Sequence, residues 1–191
     1  QAELLASDGE IGDLFGVSVT IDDDIVLIGA PEDDDNGDMT GSAYVFIRTG
    51  TTWTQQAKLL TPDAEWYDHF GEAVSIDGDT ILIGAPQDDD NGQNSGSAYV
   101  FTRTGTTWAQ QAKLHPTDGM EDDSFGWSVS LRNDTALIGV PGGNVNEVNS
   151  GCAYVFTRTG TTWTQQAKLF CGDGTASDGF GWSVKFADDT A

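Results

Sequence analysis

Two stretches of the chain crowd hard oxygen ligands into a few residues: Asp33-Asp34-Asp35-Asn36-Gly37-Asp38 and Asp88-Asp89-Asp90-Asn91-Gly92. Calcium takes six to eight such oxygens, and a neighbouring glycine lets the backbone fold round the ion. Asp33, Asp35, Asp88 and Asp90 are therefore the candidate calcium ligands. The same residue types are also ordinary turn formers, so a solvated loop is the competing reading. A third stretch at the matching position, Gly142-Gly143-Asn144-Val145-Asn146-Glu147, has lost nearly all its carboxylates.

Other chemistry is thinner. His69 and His115 are the only histidines, and they form no Ser-His-Asp set or metal-ligating cluster, so no catalytic residue is assigned. Carboxylates are too abundant for any pair of them to mark glycoside cleavage. Trp66-Tyr67 interrupts a polar loop, where aromatics beside carboxylates can bind a sugar or a protein partner, or pack on a neighbouring element. Asn133-Asp134-Thr135 is an N-glycosylation sequon in an expected exposed turn. Cys152 and Cys171 are expected to form a disulfide, with two thiols as the alternative.

These residues are positioned by a repeat. Phe15-Gly16, Phe70-Gly71, Phe125-Gly126 and Phe180-Gly181 follow one another at intervals of 55 residues. Tyr44, Tyr99 and Tyr154 keep the same step, as do Trp53, Trp108 and Trp163. A period of this length points to a propeller, a solenoid or an array. It divides the chain into repeats 15–69, 70–124 and 125–179, with partial copies 1–14 and 180–191. Gln1-Ala2-Glu3-Leu4 aligns with Gln56-Ala57-Lys58-Leu59, and Ala191 with Ala136, so the chain is expected to be part of something longer.

Within the second copy, Glu72 to Ile76 reads as strand A and Asp79 to Ile83 as strand B, which is β-branched and too short for a helix. Asp77-Gly78 is expected as the two-residue turn between them, with positive φ at both positions. Asp23, Asn133 and Asp188 replace Gly78 in the other copies, and Asn and Asp tolerate that conformation after glycine. Gly84-Ala85-Pro86 stops strand B, since proline cannot donate to a sheet. Ser97 to Arg103 is strand C and Thr106 to Leu114 strand D. A turn centred on Thr104-Gly105 would set Trp108 opposite Phe101.

Four antiparallel strands per copy is the unit of a propeller blade, whose faces are covered by its neighbours. That explains why strand B is apolar on both faces. The fold class expected is all-β, with about three and a half blades of a larger, seven-bladed propeller. In such a meander the A–B and C–D turns share one edge, and the acidic B–C and D–A loops share the other. The D–A loops repeat an Asp-x4-Asp-x-Phe-Gly frame, at Asp8 and Asp13, Asp63 and Asp68, Asp118 and Asp123, and Asp173 and Asp178. A carboxylate accepting backbone N–H groups before each strand would account for the recurrence.

The order Phe-Gly, strand, turn, strand ending Gly-Ala-Pro, then Gly-Ser-Ala-Tyr-Val-Phe resembles the FG-GAP repeats of integrin α-subunit propellers. It is closer still to the short FG-GAP-like repeats of secreted and surface proteins. Gly139-Val140-Pro141 departs from the pattern by one residue. The resemblance implies an extracellular, non-enzymatic adhesion or structural module that binds protein or glycan. A lectin-like propeller and the scaffold of a propeller hydrolase or lyase are the alternatives. Integrin-type repeats hold calcium between strands A and B; that loop is a tight turn here, so those ligands do not carry over.

With 31 acidic residues against 8 basic, the net charge of −23 argues against nucleic acid as a partner. No apolar run is long enough to insert in a membrane. Three full copies leave unpaired edges, so further blades or head-to-tail self-assembly are expected.

Overall fold

The computed structural model describes residues 2–145 and 147–187; Gln1, Asn146, Asp188 and Ala191 of the repeat alignment lie outside the described residues. Three sheets follow one another along the chain. The first holds β1 (Val19–Asp22), β2 (Ile25–Ala30), β3 (Ser42–Thr49) and β4 (Thr52–Leu59). The second holds β5 (Ala73–Asp77), β6 (Thr80–Ala85), β7 (Ser97–Thr104) and β8 (Thr107–Leu114). The third holds β9 (Ser128–Arg132), β10 (Thr135–Val140), β11 (Cys152–Thr159) and β12 (Thr162–Leu169). Each sheet is an antiparallel meander in chain order, as a propeller blade requires.

The blades stack through their faces. Ile25, Leu27 and Val45 of the first blade pack with Ile81, Ile83 and Tyr99 of the second in one core, and Leu82 and Val100 of the second pack with Ile138 and Tyr154 of the third in another. Every residue of β2 and of β6 is buried, because each of these strands has a neighbouring blade or loop on both faces. Phe70 meets Tyr99 edge-on at 5.4 Å and Phe101 at 6.0 Å, so the aromatic of Phe-Gly anchors each blade from the side.

Two turns sit one residue later than the sequence suggests. Asp77 pairs with Thr80, so Gly78-Asp79 is the A–B turn, and only its first position has positive φ: Asp23 at 48°, Gly78 at 57°, Asn133 at 52°. Asp77 stays in the strand, and its carboxylate accepts the N–H of Asn133 in the next blade. Likewise Thr104 pairs with Thr107 across Gly105, whose φ is 64°. Trp108 therefore faces Arg103, with the guanidinium 5.4 Å from the ring centroid, while Phe101 faces Gln110 beyond a bulge.

The motif glycines have one physical reason. A Cβ on Gly29, Gly84 or Gly139 would overlap the carbonyl oxygen of Gly71, Gly126 or Gly181 in the following copy. A Cβ on Gly71 would in turn overlap the carbonyl of Ser42. Backbone meets backbone there, and no side chain fits. Gly84→Ala is expected to cost about 3 kcal/mol or more in denaturant unfolding. Gly78→Asn, at an open turn where Asn133 already serves in the third copy, is expected to stay within about 0.5 kcal/mol of the parent.

Candidate functional site: the acidic loop face

The B–C and D–A loops do converge on one edge of the stack. Tyr67 of a D–A loop donates its backbone N–H to Asp38 O at 2.9 Å and its hydroxyl to Asp38 Oδ2 at 2.7 Å. At the opposite edge, Arg48, Arg103 and Arg158 pair with Asp24, Asp79 and Asp134 of the A–B turns.

Alternation along β3 puts Ser42 and Tyr44 on one face, and the cross-strand register sets Lys58 of β4 directly opposite Tyr44. All three side chains reach the start of the B–C loop, where Asp33 is turned back under the loop and buried. Asp33 accepts from Ser42 Oγ at 2.9 Å, Tyr44 OH at 2.7 Å, Lys58 Nζ at 2.8 Å and the N–H of Asp35 at 3.1 Å. The same ammonium reaches Asp35 at 2.5 Å and Asp8 of the preceding D–A loop at 3.1 Å.

The second blade repeats the arrangement. Asp88 accepts from Ser97 at 2.9 Å, Tyr99 at 2.7 Å, Lys113 at 2.6 Å and the N–H of Asp90 at 3.2 Å. Lys113 also meets Asp90 at 2.5 Å and Asp63 at 3.0 Å. A carboxylate has about four lone-pair positions, and here four donors meet each of them. Burial alone would raise the pKa of Asp33, but the bonds from Lys58, Tyr44, Asp35 and Ser42 outweigh it and hold the group below the usual carboxylate range. Burial would lower the pKa of Lys58; the bonds to Asp33 and Asp35 outweigh it and push its pKa above normal.

The candidate ligands Asp33, Asp35, Asp88 and Asp90 are thus brought together in pairs, each pair about a lysine ammonium. Among the described residues no group of three or more His, Cys, Asp or Glu side chains is placed to hold a metal ion. The third blade replaces the set in concert: Gly143 stands for the buried aspartate, Val145 for the outer one and Cys152 for the serine. Lys168 there pairs with Asp118 at 2.9 Å, and Tyr154 OH donates to the same carboxylate at 2.9 Å.

The second aspartate of each D–A frame accepts a backbone N–H from three residues earlier: Glu10 to Asp13, Glu65 to Asp68, Met120 to Asp123, Thr175 to Asp178. Burial pushes Asp68 up to about 7, opposed by the Glu65 N–H and reinforced by the nearby charge of Asp88.

Trp66 is 71% exposed and lies against Gly37 of the neighbouring B–C loop. His69 is half-buried with Nδ1 3.4 Å from Gln87 Nε2, and His115 is exposed. Asn133 is exposed at the A–B edge, away from the acidic loops. The expected disulfide is not made. Cys152 is buried, its thiol pushed up to about 11 mainly by that burial, and the exposed Cys171 donates to Asp173 at 2.8 Å.

Sequence reasoning overlooked Lys58, Lys113, Lys168 and their tyrosines. The signal was present: six of the eight basic residues fall at just two repeat positions, a concentration that solubility alone does not require.

Stacked four-stranded blades with loops gathered on one edge define a propeller-type repeat module. A sequence model described as the FG-GAP repeat matches residues 1–46, 53–101, 108–156 and 163–191, and the chain belongs to that family. A search of curated proteins finds no match.

Lys113→Met is expected to cost about 3 kcal/mol, because Asp88 stays buried without its cation, and Asp88→Asn in the same chain to recover part of the loss. Denaturant unfolding of the four proteins of this cycle measures the coupling; strict additivity would mean the two do not act as a pair. The Asp68 pKa rises on folding, so its contribution to stability is complete below the unfolded value near 3.8 and is lost as pH rises through about 7. Asp68→Asn is therefore expected to raise Tm relative to the parent above pH 7 and to converge with it as the pH falls toward 4.

Proposed function

We propose that the chain is part of an extracellular, non-enzymatic adhesion or structural module that presents its loop face to a protein or glycan partner. In this reading the loops are held by built-in ammonium groups, so calcium is not their cation. The observation that carries it is the employment of the recurring carboxylates: Asp33 and Asp88 are saturated by structural donors, and Asp13, Asp68 and Asp123 brace their own loops. Groups committed in this way serve to fix a surface, and a fixed surface is what rigid recognition needs. Extracellular placement is part of this proposal, and the resemblance to FG-GAP repeats of secreted and surface proteins supports it.

Val19 and Ile21 at one end of the stack and Leu169 and Phe180 at the other are exposed. They support the seating of further blades or of a second copy head to tail, which sedimentation velocity would read as self-association of the chain.

Beads coated with the chain are expected to attach to surfaces bearing protein or glycan, in chelator as well as in calcium, with no turnover on a carbohydrate panel. A calcium-specific rise of several degrees in Tm would overturn the role given to the lysines. Hydrolase or lyase turnover would overturn the non-enzymatic reading.

A further inference from the structure

Trp127 and Trp182 follow the Phe-Gly pairs of the third and fourth copies, where the first two copies have Val17 and Glu72. In the earlier copies the blade stack is built without an indole at this position, so the fold does not demand one there. Their rings meet at 4.8 Å between centroids and 51° between planes. Together they line a cleft of about 580 Å³ between adjacent loops, within the range of small-molecule sites. Trp127 is half-buried.

The rest of the cleft is polar. Asp122, Ser124, Asn149 and Ser177 line it from three different loops. Asp122 is oriented by Asn94 Nδ2 at 3.0 Å. Asp178, also in the wall, is committed to Thr175 through both carboxylate oxygens. At the equivalent place one blade earlier, Tyr67, His69, Glu72 and Gln87 stand for Asp122, Ser124, Trp127 and Gly142. There the larger side chains of His69 and Gln87 approach each other at 3.4 Å. Shortening both of them and adding an indole gives the later position its open, aromatic-walled form.

We propose that the cleft walled by Trp127 and Trp182 binds a neutral pyranose sugar. A pyranose carries an apolar C–H face bordered by hydroxyls, and the cleft offers two indole rings bordered by carboxylate, amide and hydroxyl groups. A flat heteroaromatic would need a parallel slot, which rings at 51° do not form. A quaternary ammonium would need rings spaced round it, whereas these touch each other. An anion is opposed by Asp122 and by the net charge of −23. The site rests on the reading of the chain as a binding module and names one ligand class for it.

The test is an array of immobilised neutral oligosaccharides, followed by calorimetric titration of the hits with the full chain. Saturable binding with a Kd of about 1 mM or tighter is expected. Trp127→Glu and Trp182→Val each introduce a residue that another copy carries at that position, so both variants should keep the parental Tm; each is expected to weaken binding tenfold or more. Trp66→Ala is expected to leave binding unchanged. Absence of binding across the array, or binding indifferent to both substitutions, would overturn the cleft. Bead attachment that persists in those variants would then leave the module reading standing, so the two failures are distinguishable.

Discussion

Everything in this molecule depends on one backbone contact: the penultimate residue of the second strand of a blade, a glycine, lies against the carbonyl of the Phe-Gly glycine opening the next. Gly29 meets Gly71, Gly84 meets Gly126, and Gly139 meets Gly181, each too closely for any side chain. Within a copy the same glycines are tied by hydrogen bonds, as Gly71 N–H to Gly84 O at 3.0 Å. The motif is therefore a joint between blades as well as a feature of each blade. It sets the spacing at which the apolar strand faces close on one another, and the hydrophobic burial that stabilises the stack follows from that spacing.

The joint also delivers the loops to one edge, which creates an electrostatic problem for so acidic a chain. The solution is local. Each of the first two blades brings one lysine up its fourth strand, over the ring of the opposing tyrosine, into the group of carboxylates. Three segments distant in sequence, the D–A loop, the B–C loop and the fourth strand, are thereby tied together. Buried charges are tolerable only when paired and hydrogen-bonded, and Asp33 and Asp88 meet both conditions.

The third blade shows what the arrangement requires by abandoning it as a unit. Loss of the buried carboxylate at Gly143 coincides with the thiol of Cys152 and the side chain of Val145 joining the apolar cluster. Val140, larger than the alanine of the other copies, lies against the space beside Gly143. Losing the aspartate while keeping the hydroxyl would have buried a polar group with fewer partners. The same blade opens the tryptophan cleft, so departures from the repeat concentrate where the loop face is being reshaped.

The sequence by itself determined the strand order, the blade as the unit and the edge to which the acidic loops go. Period-two patterning, turn residues and a fixed repeat interval are local signals, and an antiparallel meander leaves little topological freedom. It also marked the recurring Asp-x4-Asp frame and a backbone-bracing role for its carboxylates, which the structure assigns to the second of each pair. It could not decide turn positions to the residue: Gly78 and Gly105 are each compatible with two turns, and the choice was made by Asp77 reaching the next blade and by the bulge before Phe101. Nor could it decide what the aspartates do. A carboxylate looks the same in sequence whether it awaits a calcium ion or already holds an ammonium, and Lys58 lies 25 residues from Asp33 and 50 from Asp8. Only the tertiary structure supplies that partner, because charge pairing depends on distance in space. For the same reason the separation of Cys152 from Cys171 and the meeting of Trp127 with Trp182 were settled by packing and not by order along the chain.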